Sequence, residues 1–153
     1  MTDAMNNVPQ IRTNVQYIKD LSFENPNAPV SLLNIKNNPS VDLNLDVNVV
    51  AIQEDTFEVS IRVNAGVKSD EMQCFILDLT YAGIFTLLNI PEEQKELALL
   101  VTCPTLLFPF ARSVVANAIR EGGFQPLMID PVDFYGLYLN KKQNNVAGET
   151  TFA

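Results

Sequence analysis

Strict alternation of apolar and polar positions marks the middle of the chain. From Val41 to Val49, Val41, Leu43, Leu45, Val47 and Val49 fall on one side and Asp42, Asn44, Asp46 and Asn48 on the other. This is the period-two pattern of a strand with one buried face. Glu54-Asp55 reads as a turn. Phe57, Val59, Ile61 and Val63 then alternate with Glu58, Ser60, Arg62 and Asn64, which predicts an antiparallel meander. After a second turn at Lys68-Ser69-Asp70, the run Glu71 to Tyr81 puts Phe75, Leu77, Leu79 and Tyr81 on one face. Cys74 and Ile76 keep the opposite face partly apolar and Asp78 interrupts it, so this strand is buried on one side and available to a partner on the other. Ala82-Gly83-Ile84-Phe85 predicts an exit from the strand through a kink or bulge. Upstream, Val15, Tyr17, Leu21 and Phe23 alternate with Gln16, Asp20, Ser22 and Glu24, while Ile18 and Lys19 fall out of step. Four strands are expected.

Between the first and second strands, Pro26 and Pro29 rule out a continuing central strand. The stretch from Asn25 to Pro39 is a long connection that carries Val30, Leu32, Leu33 and Ile35. Beyond the sheet the periodicity becomes helical. Asn89-Ile90-Pro91-Glu92-Glu93 has a capping residue, a proline and acids where a helix begins. This short helix is expected to end by Cys103-Pro104. A main helix is expected from about Thr105 to Glu121, with Pro109 tolerated near its first turn. Gly122-Gly123 supplies a left-handed stop. Phe124 to Ile129 is extended and apolar, and Asp130 or Asp133 caps a last helix bearing Phe134, Leu137, Tyr138 and Leu139, with Lys141-Lys142 at its negative end. Residues 1–13 are expected to be disordered, 14–142 to form the folded domain, and 143–153 to be a flexible tail.

The main helix is apolar over far more than the stripe of about 100° that packing on one sheet requires. Only Arg112, Ser113, Asn117 and the terminal Arg120 and Glu121 are polar along it. It therefore needs cover on two sides, and a second copy meeting it through like surfaces supplies the other. The apolar residues of the long connection and the last helix have two readings. Leu32, Leu33, Ile35, Phe134, Leu137 and Tyr138 either close the core or line an exposed groove.

Composition sharpens this picture. The chain has 153 residues, enough for one domain, of which 47% are hydrophobic and only 18% charged. Its net charge of -8 argues against phosphate backbones and anionic membranes and for basic or neutral partners. From Val15 to Tyr81 there are ten acids against four bases, so that half alone carries -6. No N-terminal signal segment and no run of 18 uncharged apolar residues is present, and a cytoplasmic location without membrane insertion is the expectation.

The chemistry of an enzyme is missing. Without a histidine the usual triads and most zinc sites are excluded. Cys103, ahead of a helix, is a candidate for an activated thiol, but among apolar neighbours and with no base it reads as structural. Cys74 and Cys103 are expected to be free and buried. Asp42 and Asp46 share a face as a solvated strand does, not as a metal site, and Gly122-Gly123 follows a helix where a phosphate loop would precede one. No metal or cofactor is expected.

The run CPTLLFPFAR, then REGGFQPLMIDPVDF, together with YIKDLSFENPNAP and AGIF, resembles the bacterial protein-export chaperone family SecB, over roughly Val15 to Leu139. The resemblance implies an α+β fold in which a four-stranded antiparallel sheet is packed by a long helix and a shorter C-terminal helix. It also implies a homotetramer, a dimer of dimers with the long helix inside. Such chaperones keep newly made preproteins unfolded without ATP and deliver them to the translocase motor SecA. By resemblance, the motor docks on Asp20, Glu24, Ile76 and Asp78, and contacts the C-terminal tail. Phe75, Leu77, Leu79 and Tyr81, with Leu107, Phe110, Val114 and Ala118 of the helix, are then the oligomer interface. Three features depart from the family: Leu32, Leu33 and Ile35 replace aromatics, Asp78 replaces a longer acid, and the tail QNNVAGETTFA holds one carboxylate where family tails can be more acidic. The alternative is a structural or adaptor oligomer that binds one folded partner.

Overall fold

The computed structural model describes residues 7–35 and 38–146, with side chains to residue 143. Strands β1 (Gln10–Glu24), β2 (Ser40–Gln53), β3 (Thr56–Ser69) and β4 (Met72–Leu88) form one antiparallel sheet in the order β1-β4-β3-β2. The β2–β3–β4 meander is the one that the alternation predicts. Its turns are two residues long, with Asp55 and Asp70 in the left-handed region at φ 59° and 54°. A short helix α1 (Val30–Leu33) lies in the first connection. The chain then leaves β4 through Asn89, also left-handed at φ 57°, into α2 (Glu92–Leu97). A widened turn over Ala98–Thr102 leads into α3 (Cys103–Glu121), and α4 (Phe134–Val146) closes the fold.

Several boundaries differ from the sequence reading, each for a physical reason. β1 takes in residues 10–13, which pair with β4 up to Leu88, and α4 runs past residue 142 to Val146. β4 does not kink at Gly83. The strand continues through it, and the glycine is needed because α3 comes close: a Cβ there would lie 3.0 Å from Leu107 and 2.9 Å from the Phe85 ring. The helices do not break at Pro104 either. Residues Glu92–Glu121 are one continuous helical run. In the widened turn the Cys103 N–H reaches back five residues to the Ala98 carbonyl, which makes room for a proline ring that lacks its own donor. Pro109 consequently sits in the helix interior rather than near its start.

By length and composition this run would suffice to cross a membrane, although 44% of its most apolar window is buried inside the fold. It is the core helix. Leu107, Ala111, Val115 and Ile119 are fully buried against Val59, Ile61, Leu77, Leu79 and Phe85 of β3 and β4. Phe75, Leu77, Leu79, Tyr81 and Leu107, assigned above to contacts between copies, thus belong to the chain's own core. The flank of α3 is partly covered by α4, whose Phe134 meets Phe108 edge-on at 5.9 Å.

α3 ends in a two-bond cap. Phe124 N–H donates to the Ile119 carbonyl at 3.2 Å and Gly123 N–H to Arg120 at 3.0 Å, with Gly123 at φ 92°. Gly122 has a separate reason to lack a side chain, since a Cβ there would come within 2.4 Å of the Phe23 ring. Phe23 stacks on Phe75 at 5.7 Å and Phe75 leans on Phe124 at 5.0 Å, so the stop of α3 is welded to the end of β1. Gly122→Ala should therefore destabilise the fold by about 1–3 kcal/mol in urea denaturation, as overpacking does. Gly66→Ala, whose Cβ would meet a Gln73 side chain at 3.4 Å and the Phe75 carbonyl at 3.8 Å, both ordinary contacts, should be tolerated. Equal losses at the two sites would refute this account.

Candidate functional site

β1 is where the sequence reading loses its register. Asn14 and Lys19 are extra residues: pairing with β4 passes from Thr13↔Phe85 to Val15↔Ile84, and from Ile18↔Tyr81 to Asp20↔Thr80. Each such bulge exchanges the two faces of the strand. Between them, Gln16 and Ile18 turn to the helix side and Val15 and Tyr17 to the open side. After the second, Leu21 and Phe23 return to the helix side, leaving Asp20, Ser22 and Glu24 on the open side. Tyr81 duly donates from its hydroxyl to Gln16 Oε1 across the helix side at 3.2 Å.

The open face of the sheet is covered by no element among the described residues. Glu24 lies opposite Ile76, Ser22 opposite Asp78 and Asp20 opposite Thr80. The four residues expected to meet a basic partner thus lie side by side across β1 and β4, with Ile76 exposed among the acids. On β3, Arg62 binds Asp78 through two bonds, Nε to Oδ1 at 3.1 Å and Nη2 to Oδ2 at 2.8 Å, and holds that carboxyl below its ordinary range. Farther along the same face, Glu58 accepts hydrogen bonds from Lys19 at 2.7 Å and from the Tyr17 hydroxyl. Those donors lower its carboxyl pKa, Lys19 most. Burial, with Glu58 beside it, pushes the Tyr17 phenol up to about 12.

Sequence reasoning set Glu58 and Arg62 on the polar face of β3 without their partners on β1 and β4, and it put Tyr17 on the buried side. Counting back from the Glu54-Asp55 turn would set Arg62 beside Val47, but a register shift between Ala51 and Gln53 moves Asp46 into that place.

The residues expected to form one apolar groove divide into two groups. Leu32 lies against Gly123, at the end of α3, with Leu33 (80% exposed) and Ile35 beside it in the chain. Leu137 and Tyr138 line a pocket with Leu45, Val47 and Leu100, near the start of the helical run. The 22 residues of helix from Leu100 to Glu121 span about 33 Å. The two groups are therefore separate surfaces of one chain. Phe134 is only 3% exposed and anchors α4 rather than lining a groove. Asp133, not Asp130, caps that helix, its Oδ1 accepting from the Gly136 N–H at 3.1 Å. On α3, Leu106 and Phe110 stay open, 43% and 51% exposed, and Val114 and Ala118 are half-buried.

Neither cysteine is placed for reaction. Cys103 is buried inside a continuous helix, and burial pushes its thiol up to about 12, the opposite of activation. Cys74 and Cys103 are both free and buried. Among the described residues no cluster of acids and cysteines could hold a metal. The surfaces are those of a binding protein, with an acidic sheet face on one side and apolar strips on and around the helices on the other.

Comparison with known proteins gives that class its family. The family model described as preprotein translocase subunit SecB matches residues 4–145. Proteins named protein-export protein SecB are similar over most of their length. That of Maricaulis maris (strain MCS10) is 51% identical over 146 residues, covering 90% of this chain and 85% of its own. That of Rickettsia bellii (strain OSU 85-389) is 47% identical over 141 residues, covering 92% and 93%. A SecB-like chaperone of Mycobacterium tuberculosis, solved with a ChAD peptide from an antitoxin, shares the fold at a TM-score of 0.65 and 18% identity, over 86% of this chain and 94% of its own. The chain belongs to the SecB family.

Two measurements check the site. Because the folded Asp78 carboxyl lies below its unfolded value, its contribution to stability is present above the unfolded pKa and lost as pH falls through the folded one. Arg62→Gln should raise the Asp78 pKa in a carboxyl-detected NMR titration, and an unmoved titration would refute the pairing. Neither thiol should react with Ellman's reagent at pH 8 until the protein is unfolded, and rapid labelling of Cys103 in the native state would contradict its burial.

Proposed function

We infer that this chain is an ATP-independent export chaperone that holds newly synthesised preproteins unfolded and passes them to the motor SecA. One observation carries the reading: the core is complete within one chain, yet apolar side chains remain uncovered on α1, α3 and α4. Such surface suits either a second copy or an unfolded segment. Leu106 and Phe110 of α3, with the half-buried Val114 and Ala118, are the surface for a second copy. A dimer of dimers places long helices against one another. Leu32, Leu33 and Ile35 of one chain and the pocket of Leu137 and Tyr138 then serve as separate subsites for extended cargo, and several weak subsites give avidity with fast exchange.

The open face docks the motor. Asp20, Glu24 and Asp78 attract a basic partner, and Ile76 gives it an apolar contact. Long-range attraction of this kind speeds association and fades with salt. Cargo that is newly made and still unfolded favours the cytoplasm as the place of encounter. Tail residues beyond Val146 lie outside the described residues, and a second motor contact there remains part of the proposal from resemblance.

The protein at stoichiometric amounts should suppress aggregation of an unfolded preprotein followed by light scattering, and should ignore the same protein once folded. No suppression by well-folded chaperone would overturn the reading. Asp20→Asn, Glu24→Gln and Asp78→Asn together should leave holding intact and weaken motor binding by roughly tenfold, as loss of several steering charges does. Phe110→Ser should lower the mass seen by multi-angle light scattering, and an unchanged mass would place the interface elsewhere.

A further inference from the structure

α1 faces the wrong way for the chemistry of its side chains. In the four-residue run Val30-Ser31-Leu32-Leu33 the polar residue is the buried one: Ser31 is 0% exposed, against 54% for Val30 and 80% for Leu33. Residues two apart on a helix point about 200° from one another, so Leu33 lies on the face opposite Ser31. The Ser31 hydroxyl has no hydrogen-bond partner among the described residues. Rolled over by half a turn, the same helix would hide Leu33 and return the hydroxyl to water. Burying one leucine favours a state by about ten- to a hundred-fold, and freeing an unpaired buried hydroxyl adds about five-fold or more. Something must hold α1 the present way round.

Two asparagines do so. Asn25, the first residue after β1, donates from Nδ2 to the Gly122 carbonyl at 2.9 Å, at the end of α3 where helix carbonyls are left without partners. Its Oδ1 is buried and, like the Ser31 hydroxyl, has no partner among the described residues. Asn27 donates from Nδ2 to the Gln73 carbonyl at 2.8 Å. The Gln73 side chain is itself held by the Val67 and Phe75 carbonyls, at 3.2 and 2.9 Å. Beyond these pins, Ser31 N–H donates to the Asn27 carbonyl at 2.9 Å and Leu32 lies against Gly123. The connection is thus tied to the end of α3 and to the start of β4 just before its helix begins. Each side-chain hydrogen bond weights this arrangement by about two- to ten-fold. The two, with the Leu32 contact, are of the size needed to oppose the roll.

We propose that Asn25 and Asn27 are positioning residues for cargo binding: they keep Ser31 inward so that Val30 and Leu33 stand out from α1, and thereby set the strength of that apolar subsite. Its occupant is an extended, unfolded segment, and this rests on the function proposed above. Neither asparagine touches the cargo. Both act through the way α1 faces, so losing them lowers affinity in proportion to the molecules whose helix has turned in. Ser31 supplies the complementary handle. Replacing its hydroxyl by hydrogen removes much of the reason to turn, and the outward face of α1 then no longer needs both pins.

The chain has no tryptophan, so Leu33→Trp in the full chain gives a single reporter of how α1 faces. Its emission should be that of a water-exposed indole. Asn25→Ala with Asn27→Ala should shift that emission to the blue while far-ultraviolet circular dichroism stays native. Without the reporter, the same two substitutions should weaken binding of a permanently unfolded probe, fluorescein-labelled carboxymethylated lysozyme, by about tenfold in anisotropy titrations. Adding Ser31→Ala should undo both changes, which no general loosening of the fold would do. If the double variant fails to fold, Asn27→Ala alone, whose bond lies at the surface, should give a smaller shift in the same direction. An emission that the asparagine variants leave unmoved, or a blue shift that Ser31→Ala does not reverse, overturns the positioning role. A full blue shift with unchanged lysozyme affinity overturns α1 as a subsite. No lysozyme binding by the native chain overturns the chaperone reading itself.

Discussion

The architecture depends on how closely α3 approaches the sheet. Leu107, Ala111, Val115 and Ile119 make a face with little side-chain bulk at Ala111, and Gly83 removes the Cβ from the strand beneath. That contact draws the core residues of β3 and β4 into one layer, and it uses up their apolar face entirely. Everything the protein can offer a partner is consequently what this contact leaves over. One remainder is the far face of the sheet, with its acids. The other is the outer strip of the helix and the apolar side chains of the two flanking connections.

The same contact explains why the helical run could not stop at Pro104. Had α3 begun afresh at Thr105, the buried residues Cys103 and Pro104 would have been lost from the face that continues through Leu107. The widened turn over Ala98–Thr102 keeps the helix going, and α2 brings Lys95 to Asp55 in the β2–β3 turn at 2.8 Å. A proline that reads as a boundary in the sequence is here absorbed by a single change in hydrogen-bond spacing.

What could be read from the chain divides along the same lines. β2, β3 and most of β4 were legible because their alternation is uninterrupted and their turns are short. The open-face acids and Ile76 followed from that alternation and from the resemblance. β1 was legible as a strand but not as a pattern, since two extra residues exchange its faces and a simple count cannot see them. The apolar groove was not legible: Leu32 and Leu137 look alike in sequence, and only the length of the helix between their sites separates them. Phe134 carried both readings for a related reason, because an exposed aromatic and an anchoring one look the same in sequence. The choice between core and interface for Phe75, Leu77, Leu79 and Tyr81 turned on which layer covers them, which periodicity does not state.

The two extra residues of β1 have an effect on how this strand can change. Each one alone inverts every later position of the strand, but the pair cancels, so Ile11 and Phe23 share a side although the middle of the strand is reversed between them. Because Asn14 and Lys19 are the two residues of the strand that the pairing with β4 skips, losing either one would leave Thr13 opposite Phe85, Val15 opposite Ile84, Ile18 opposite Tyr81 and Asp20 opposite Thr80, with every other side chain on its present face. Losing a paired residue such as Tyr17 would instead exchange the faces of its neighbours up to the next bulge. Drift in the length of this strand is thus tolerated at two places and opposed elsewhere.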